Sequence, residues 1–405
     1  MSIHPLNKII HAFIAGKPAN KTLLAVCPNS ESVTRAALMA AKQANAPLLL
    51  AATLNQVDRD GGYTGWTPHQ LTEFVEKESE RIGLKSPVYT CLDHGGPWLK
   101  DKHKTENYSY EKTMAEVKKT LETCIDAGYA LLHIDPTVDV RLGNDEPIPI
   151  DLVAERTLDM IQHAENYRKE QNHPPISYEV GTEEVHGGLA NMDNFDRFLD
   201  GLDKGLKELG LEDSWPCFVV GKVGTDLHTT LFDPDVAKKL TDHVKPFGAL
   251  IKGHYSDYVD NPEDYPLSGM GGANVGPEYT EEEFIALMEL LELEKKIGKS
   301  SGLEDALKNA VIDSNRWQKW LSKEEEGKDF KDLTDQRQLW ITRTCSRYIW
   351  TAPKVLEARA ALYKNLEDYR DADAFVIWHL QKSIMKYYQN FNMINFTSDH
   401  PELLS

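Results

Sequence analysis

The sequence predicts an α/β fold: a closed (β/α)8 barrel (TIM barrel) followed by a helical C-terminal extension. Three observations carry that prediction. Eight short apolar runs each end in a turn signal, helical patterns separate nearly all of them, and the stretches after the runs are long and polar whereas the returns are short. Strand–helix alternation at this spacing calls for parallel strands joined by crossover helices, and eight units suffice to close a barrel.

The apolar runs cover residues 23–27, 47–55, 88–94, 131–137, 176–184, 217–225, 249–257 and 271–277. Helical patterns lie between them at 31–45, 68–83, 108–128, 151–172, 192–209 and 233–244. The stretches 56–67, 95–107, 138–150 and 258–270 follow strands and are polar, while the returns at 45–46 and 126–129 take only a few residues. A barrel with an elaborated catalytic face has that asymmetry, because its chemistry sits on the loops at the strand C-termini. Past Gly298 the alternation stops. Helical patterns at 301–320, 333–351 and 353–391 flank a charge run at 323–332, which reads as a solvated loop. The expected division is a barrel over 1–298 and a helical extension over 299–405, packed over the barrel mouth or at a subunit interface.

The formal net charge of −19 argues against nucleic-acid and anionic-membrane partners, which require clustered Lys and Arg. It also means that an anionic substrate needs a local positive site or a metal. No run approaches the roughly 18 apolar residues of a membrane span, and the N-terminal residues lack a signal-peptide pattern. Cysteines at 27, 91, 124, 217 and 345 show no Cys-x-x-Cys spacing, so they read as buried, reduced thiols of a cytoplasmic protein.

Carboxylates and imidazoles recur at different strand ends. Asp93 and His94 close the third run, Asp135 the fourth, Glu183 and Glu184 the fifth with His186 just beyond, and His254 the seventh; the sixth brings Lys222, Asp226 and His228. Two or three imidazoles with a carboxylate suit Zn²⁺, Mn²⁺ or Co²⁺ held for Lewis-acid work, with neighbouring groups moving protons. A lone strand-end His is more often a hydrogen-bonded structural residue, but the barrel makes these ends converge. His94 and His254 are therefore the leading ligand candidates, with His186 and His228 open between ligand and structure.

The glycine-rich segment 269–276, with Gly272 and Asn274, is a candidate for backbone contact with an anion, or a plain flexible loop. It matches neither a Walker A sequence nor a dinucleotide fingerprint. Asn55 and Gln56, beside a second glycine loop at 61–65, are candidates for binding sugar hydroxyls or for stabilising the turn. No nucleophile elbow or local Cys–His signature supports covalent hydrolysis.

Several longer motifs resemble one family: Ala52-Thr-Leu-Asn-Gln-Val57, Gly61-Gly-Tyr-Thr-Gly65, Asp93-His94-x-Gly-Pro97, His133-x-Asp135, Val153-Ala-Glu-Arg156, Tyr178-x-x-Gly-Thr-Glu183, His254-x-x-Asp257-Tyr258, Val275-Gly-Pro277 and Arg347-Tyr-x-Trp350. In this order they resemble the accessory, non-catalytic subunit of D-tagatose-1,6-bisphosphate aldolase, a family also called tagatose-6-phosphate kinase. It is similar to the metal-dependent class II aldolases and has relatives that epimerise ketohexoses at C4.

The resemblance implies His94 and His254 as metal ligands, Asp93 as an acid/base, and Glu183 as a third ligand or proton acceptor, with Asp135 in reserve. It implies a divalent cofactor, zinc first with Mn, Co or Ni as alternatives, and a ketohexose or its 6-phosphate as substrate. Asp257 falls in a family motif and joins the substrate-binding candidates. An aldolase partner chain and a homo-oligomer are further expectations. Asn274 departs from the pattern, since a lysine is expected before Val-Gly-Pro. An anionic group would then need another cation, with Lys222, Lys252, Arg141, Arg343 and Arg347 as candidates.

Overall fold

The computed structural model describes residues 4–143, 146, 148–182, 192–225 and 231–404. Eight parallel strands close in sequence order: β1 (Leu23–Val26), β2 (Leu48–Thr53), β3 (Val88–Gly95), β4 (Leu131–Ile134), β5 (Ser177–Gly181), β6 (Phe218–Val220), β7 (Leu250–Gly253) and β8 (Gly272–Val275). Leu23 pairs with Gly272, which joins the last strand to the first. The strands read as continuous apolar runs because both their faces are covered, by barrel interior on one side and helices on the other.

The strands are shorter than the sequence runs, since residues such as 54–55 and 254–257 lie in the loops above them. Local signals set the helix ends. Ser30, Thr67, Ser109 and Asp233 each accept a backbone N–H at a helix start, and Thr67 forms a capping box with Gln70. Asn45 and Gly83 end their helices in the left-handed region, where Asn and Gly are least penalised.

Helix Pro5–Ile14 buries Leu6, Ile9, Ile10 and Phe13, and its Asn7 Oδ1 accepts from Ser177 Oγ at the start of β5. It therefore lies at the N-terminal end of the barrel, opposite the loops that carry the candidate residues.

After Gly298 the chain forms helices Leu303–Asp313, Asp335–Cys345, Pro353–Leu366 and Ala372–Asn390. The pattern at 353–391 is thus two helices, broken at the polar stretch before Asp371, whose side chain caps the second one through the Ala374 N–H. These helices pack on the barrel through apolar residues such as Val355, Leu362, Val376 and Leu380, and buried glutamates of the barrel helix Pro277–Lys296 add polar contacts. Glu278 accepts from Tyr387 and Ser383, Glu283 pairs with Arg359 at 2.7 Å, and Glu294 accepts from Asn365 at 2.6 Å. Buried carboxylates are costly unless fully partnered, so these pairs also fix where the extension sits. Among the described residues, no helix is long and apolar enough to cross a membrane, and all five cysteines are unpaired and buried.

Candidate functional site

The strand ends meet in a cavity of roughly 180 Å³ at the C-terminal mouth. Asp93, His94 and His254 line it, together with Asn55, Gln56, Tyr63, Asp257 and Asn274 from the barrel loops and Lys319, Arg347 and Tyr348 from the extension.

Asp93 and His94 are consecutive, and successive residues of a regular strand point to opposite faces. Here the β3–β4 register shifts between Leu92 and Gly95, and His94 has φ +51°. A left-handed non-glycine residue at a bulge is strained, and it re-aims the side chain. Both Asp93 and His94 consequently reach the mouth. The His94 N–H donates to His133 Nδ1 at 3.1 Å, and that same Nδ1 lies 3.3 Å from Asp93 Oδ1. Asp93, His94, His133 and His254 each offer an atom, all within 4.8 Å of one another.

Second partners fix the ring orientations. His94 Nδ1 lies 2.6 Å from Asp135 Oδ2, and His254 Nε2 lies 2.9 Å from Glu179 Oε1. A carboxylate only accepts when ionised, so each of these nitrogens carries its proton. The remaining nitrogens, His94 Nε2 and His254 Nδ1, face each other at 3.1 Å. Without metal, a proton must sit between them. Burial opposes the charged form of His94, but Asp93 and Asp135 outweigh it and raise its pKa to about 9. Burial lowers that of His254 to about 4. His94 therefore donates and His254 accepts.

Burial also works against ionised Asp93, yet the neighbouring imidazoles and the Lys252 ammonium hold its carboxyl well below the usual range. Glu179 is likewise buried, and Lys252, His133 and His254 bring it down to about 2.

The donor set fits a divalent cation. Two imidazole nitrogens aimed at one point, each ring donating its other N–H to a carboxylate, is the usual arrangement around zinc. Their 3.1 Å separation is near the roughly 3.3 Å expected between nitrogens on a tetrahedral ion with Zn–N of about 2.0–2.1 Å.

The other sequence candidates divide. Asp135 does not line the cavity; its oxygens are taken by His94 and by the Thr137 hydroxyl and amide, so it orients His94 rather than serving as a free base. Asn55 and Gln56 reach the cavity wall, but their amides are committed to Leu99, Asp101, Thr53 and Asn29. Gly272 lies within β8, where a Cβ would sit 3.3 Å from the Lys252 side chain, so it makes room for that lysine and forms no open anion loop.

Asp257 Oδ1 accepts the Gly276 and Glu278 N–H groups, and burial pushes its pKa up to about 7. Asn274 is buried in the cavity wall with neither side-chain polar atom partnered. Glu183, Glu184, His186, Asp226 and His228 lie outside the described residues. Sequence reasoning did not single out His133 or Glu179 as site residues. Glu179 alternates inward between the outward-facing Tyr178 and Val180, so a charge on the inner face of a buried strand was the available signal.

Among solved structures, the chain is similar to a probable tagatose 6 phosphate kinase from Sinorhizobium meliloti 1021, at 19% identity and a TM-score of 0.77, covering 91% of this chain and 100% of that one. It is also similar to fructose-bisphosphate aldolase from Campylobacter jejuni, at 13% identity and a TM-score of 0.53, covering 97% and 96%. At these identities the likeness concerns the fold. The family model described as D-tagatose-1,6-bisphosphate aldolase subunit GatZ/KbaZ-like matches residues 6–397, nearly the whole chain. The cluster at the mouth of this barrel is therefore that of an aldolase-related protein, and the chain belongs to the GatZ/KbaZ-like family of D-tagatose-1,6-bisphosphate aldolase subunits.

Proposed function

We propose that the chain is a metal-dependent 4-epimerase of a ketohexose or ketohexose 6-phosphate, interconverting fructose-type and tagatose-type sugars by retro-aldol and aldol steps. The observation that carries this reading is the pair of facing nitrogens, His94 Nε2 and His254 Nδ1, beside the Asp93 carboxylate in the cavity at the barrel mouth. His94 and His254 would hold the ion, zinc first with Mn, Co or Ni as alternatives, and Glu183, His186 and His228 remain further ligand candidates from the sequence. A divalent ion there supplies Lewis-acid polarisation of the ketose carbonyl and offsets the charge that develops as the C3–C4 bond breaks.

This chain's own groups handle the protons. Asp93 accepts the C4 hydroxyl proton as C3–C4 cleaves to an enediolate and an aldehyde. The aldehyde turns over within the cavity, C3–C4 re-forms on its opposite face, and a proton returns to the C4 oxygen. Glu183 is the second acid/base group the sequence nominates. No atom is gained or lost, so the product is the C4 epimer. His133 positions the His94 backbone, and Asp135 and Glu179 fix the imidazole tautomers. The barrel over 1–298 carries the chemistry, the extension over 299–405 closes the mouth, and a cytoplasmic homo-oligomer is the expected state.

The family description favours a second reading: a subunit of a D-tagatose-1,6-bisphosphate aldolase, working with a partner aldolase chain. Incubating the purified chain with fructose 6-phosphate and with fructose, with Zn²⁺ or Mn²⁺ and then chelator, separates the two. Metal-dependent tagatose isomer without triose supports the epimerase. Triose release by the chain alone supports aldol cleavage by this chain, no conversion until an aldolase chain is added supports the subunit role, and either outcome sinks the epimerase.

A further inference from the structure

Apart from seven asparagines, the described non-glycine residues with left-handed φ are His94, Trp98, Tyr255 and Tyr258. Asparagine tolerates that region, whereas a bulky ring residue there is strained and persists only where its surroundings over-determine it. All four lie at or just beyond the ends of β3 and β7, the strands that bring His94 and His254 to the mouth.

At β3 the restraint comes from the barrel itself. The His94 N–H donates to His133, and the Trp98 N–H donates to Thr113 Oγ1 at 3.2 Å. At β7 it comes from further away. Asp257 Oδ1 accepts the Glu278 N–H at 2.7 Å, and Glu278 Oε2 accepts the Tyr258 N–H at 2.6 Å, so the loop and the start of helix Pro277–Lys296 cap each other.

Glu278 is 3% exposed, and its other partners belong to the extension helix Ala372–Asn390. The Tyr387 hydroxyl donates to Oε2, and Ser383 donates to Oε1 at 3.0 Å. The Tyr387 oxygen also lies 3.1 Å from both the Tyr258 nitrogen and the Ser256 carbonyl oxygen, so it touches the loop directly.

Glu281 and Glu283 on the same helix pair with Arg343 and Arg359, whereas Glu278 makes no ion pair among the described residues. A buried carboxylate is a costly anchor. It does, however, accept from all three of these donors at once, where an amide would set an N–H against one of them. The residue type suits a clamp on the loop better than it suits helix packing alone.

We propose that Glu278 and Tyr387 are positioning residues of the site: they hold the strained loop from Tyr255 to Tyr258 in the conformation that presents His254 and Asp257 to the cavity. The extension thereby sets the geometry of a strand end 129 residues earlier in the chain. The link to the site rests on His254 being a metal ligand, as proposed above.

Three variants of the full chain test it. Tyr387→Phe removes a partner of Glu278 that also touches the loop, Ser383→Ala removes one that does not, and Glu278→Gln alters the anchor. Hydrogen exchange across residues 254–258 of the metal-free chain reads the loop, and competition with a chromophoric chelator for zinc reads the site. In Tyr387→Phe and Glu278→Gln, exchange should quicken about 3- to 10-fold, the worth of one hydrogen bond. Zinc affinity should fall about 10-fold in both, as it does when a partner behind a ligand is lost. Ser383→Ala should leave both readouts unchanged, even if it lowers the melting temperature. Should Glu278→Gln not fold, the contrast between Tyr387→Phe and Ser383→Ala decides. Wild-type exchange in Tyr387→Phe overturns the clamp, and faster exchange with wild-type zinc affinity overturns its link to the site. Equal losses of affinity in Tyr387→Phe and Ser383→Ala mark general destabilisation and overturn it as well. A wild-type chain that takes up no zinc removes the metal reading and the link to the site, and the exchange contrast then decides the clamp.

Discussion

Glu179 and Lys252, 73 residues apart, form an ion pair inside the barrel, with Lys252 Nζ 2.7 and 2.9 Å from the two carboxylate oxygens. Their side chains are 0% and 1% exposed. Neither charge is tolerable there alone, and the pair gives His254 Nε2 an ionised acceptor. Lys252→Met should therefore destabilise the fold by about 3–5 kcal/mol, and adding Glu179→Gln should recover much of that loss. Denaturant unfolding of the two single variants and the double variant measures it. Single variants within about 1 kcal/mol of wild type would show that the pair carries no such weight.

Asp135 and Glu179 act on the ion through the imidazoles they orient. Asp135→Asn keeps the shape of the side chain but no longer demands the protonated Nδ1 of His94. Metal affinity should fall about 10- to 100-fold in this variant, the usual cost of losing such a partner. Competition against a chromophoric chelator gives the number, and unchanged affinity would mean that His94 is oriented by something else.

The parts of this site legible in the sequence are those written in local patterns. Asp93, His94 and His254 follow apolar runs, so once the alternation implies a barrel their convergence follows. Three features needed the fold. The bulge that turns both Asp93 and His94 to the mouth depends on the β3–β4 register. The Glu179–Lys252 pair depends on β5 and β7, the two neighbours of β6, sending side chains into the same layer of the interior. Arg347 sits in a short turn after helix Asp335–Cys345; the sequence named it among five candidate cations, but only the fold shows that it is the one of them that lines the cavity. Asp135 shows the opposite failure: a strand-end carboxylate looks like a base until its hydrogen bonds are counted.

Gly96 makes the crossing of the third and fourth strand ends possible. A Cβ there would lie 1.7 Å from the Asp135 carbonyl oxygen, so backbone must move. Gly96→Ala should cost at least about 1–3 kcal/mol and, by displacing Asp135, weaken metal binding as well. Thermal unfolding with and without zinc separates the two effects; a variant with wild-type metal-induced stabilisation would show that the strand ends adjust independently.

The facing imidazoles make the metal-free protein sensitive to pH from both sides. His94 has its pKa raised from 6.5 to about 9, so the stabilisation it gives is complete below about 6.5 and is lost as pH rises through 9. At roughly 1.4 kcal/mol per pKa unit this is on the order of 3 kcal/mol. His254 runs the other way. Its pKa falls to about 4, so the unfolded chain takes up the proton first and stability declines as pH drops from 6.5 towards 4.

A divalent ion takes the place of the proton between His94 and His254, and that proton must leave. Near pH 7.5, zinc binding should release about one proton, with His94 as its source. Calorimetric titrations in two buffers of different ionisation enthalpy read the release directly. It should decline as the pH passes about 9, where metal-free His94 is already neutral. His94→Gln should abolish the release near neutral pH along with most of the affinity, because its amide holds no proton to surrender. Binding enthalpies that do not depend on the buffer at pH 7.5 would place zinc elsewhere than between these two rings.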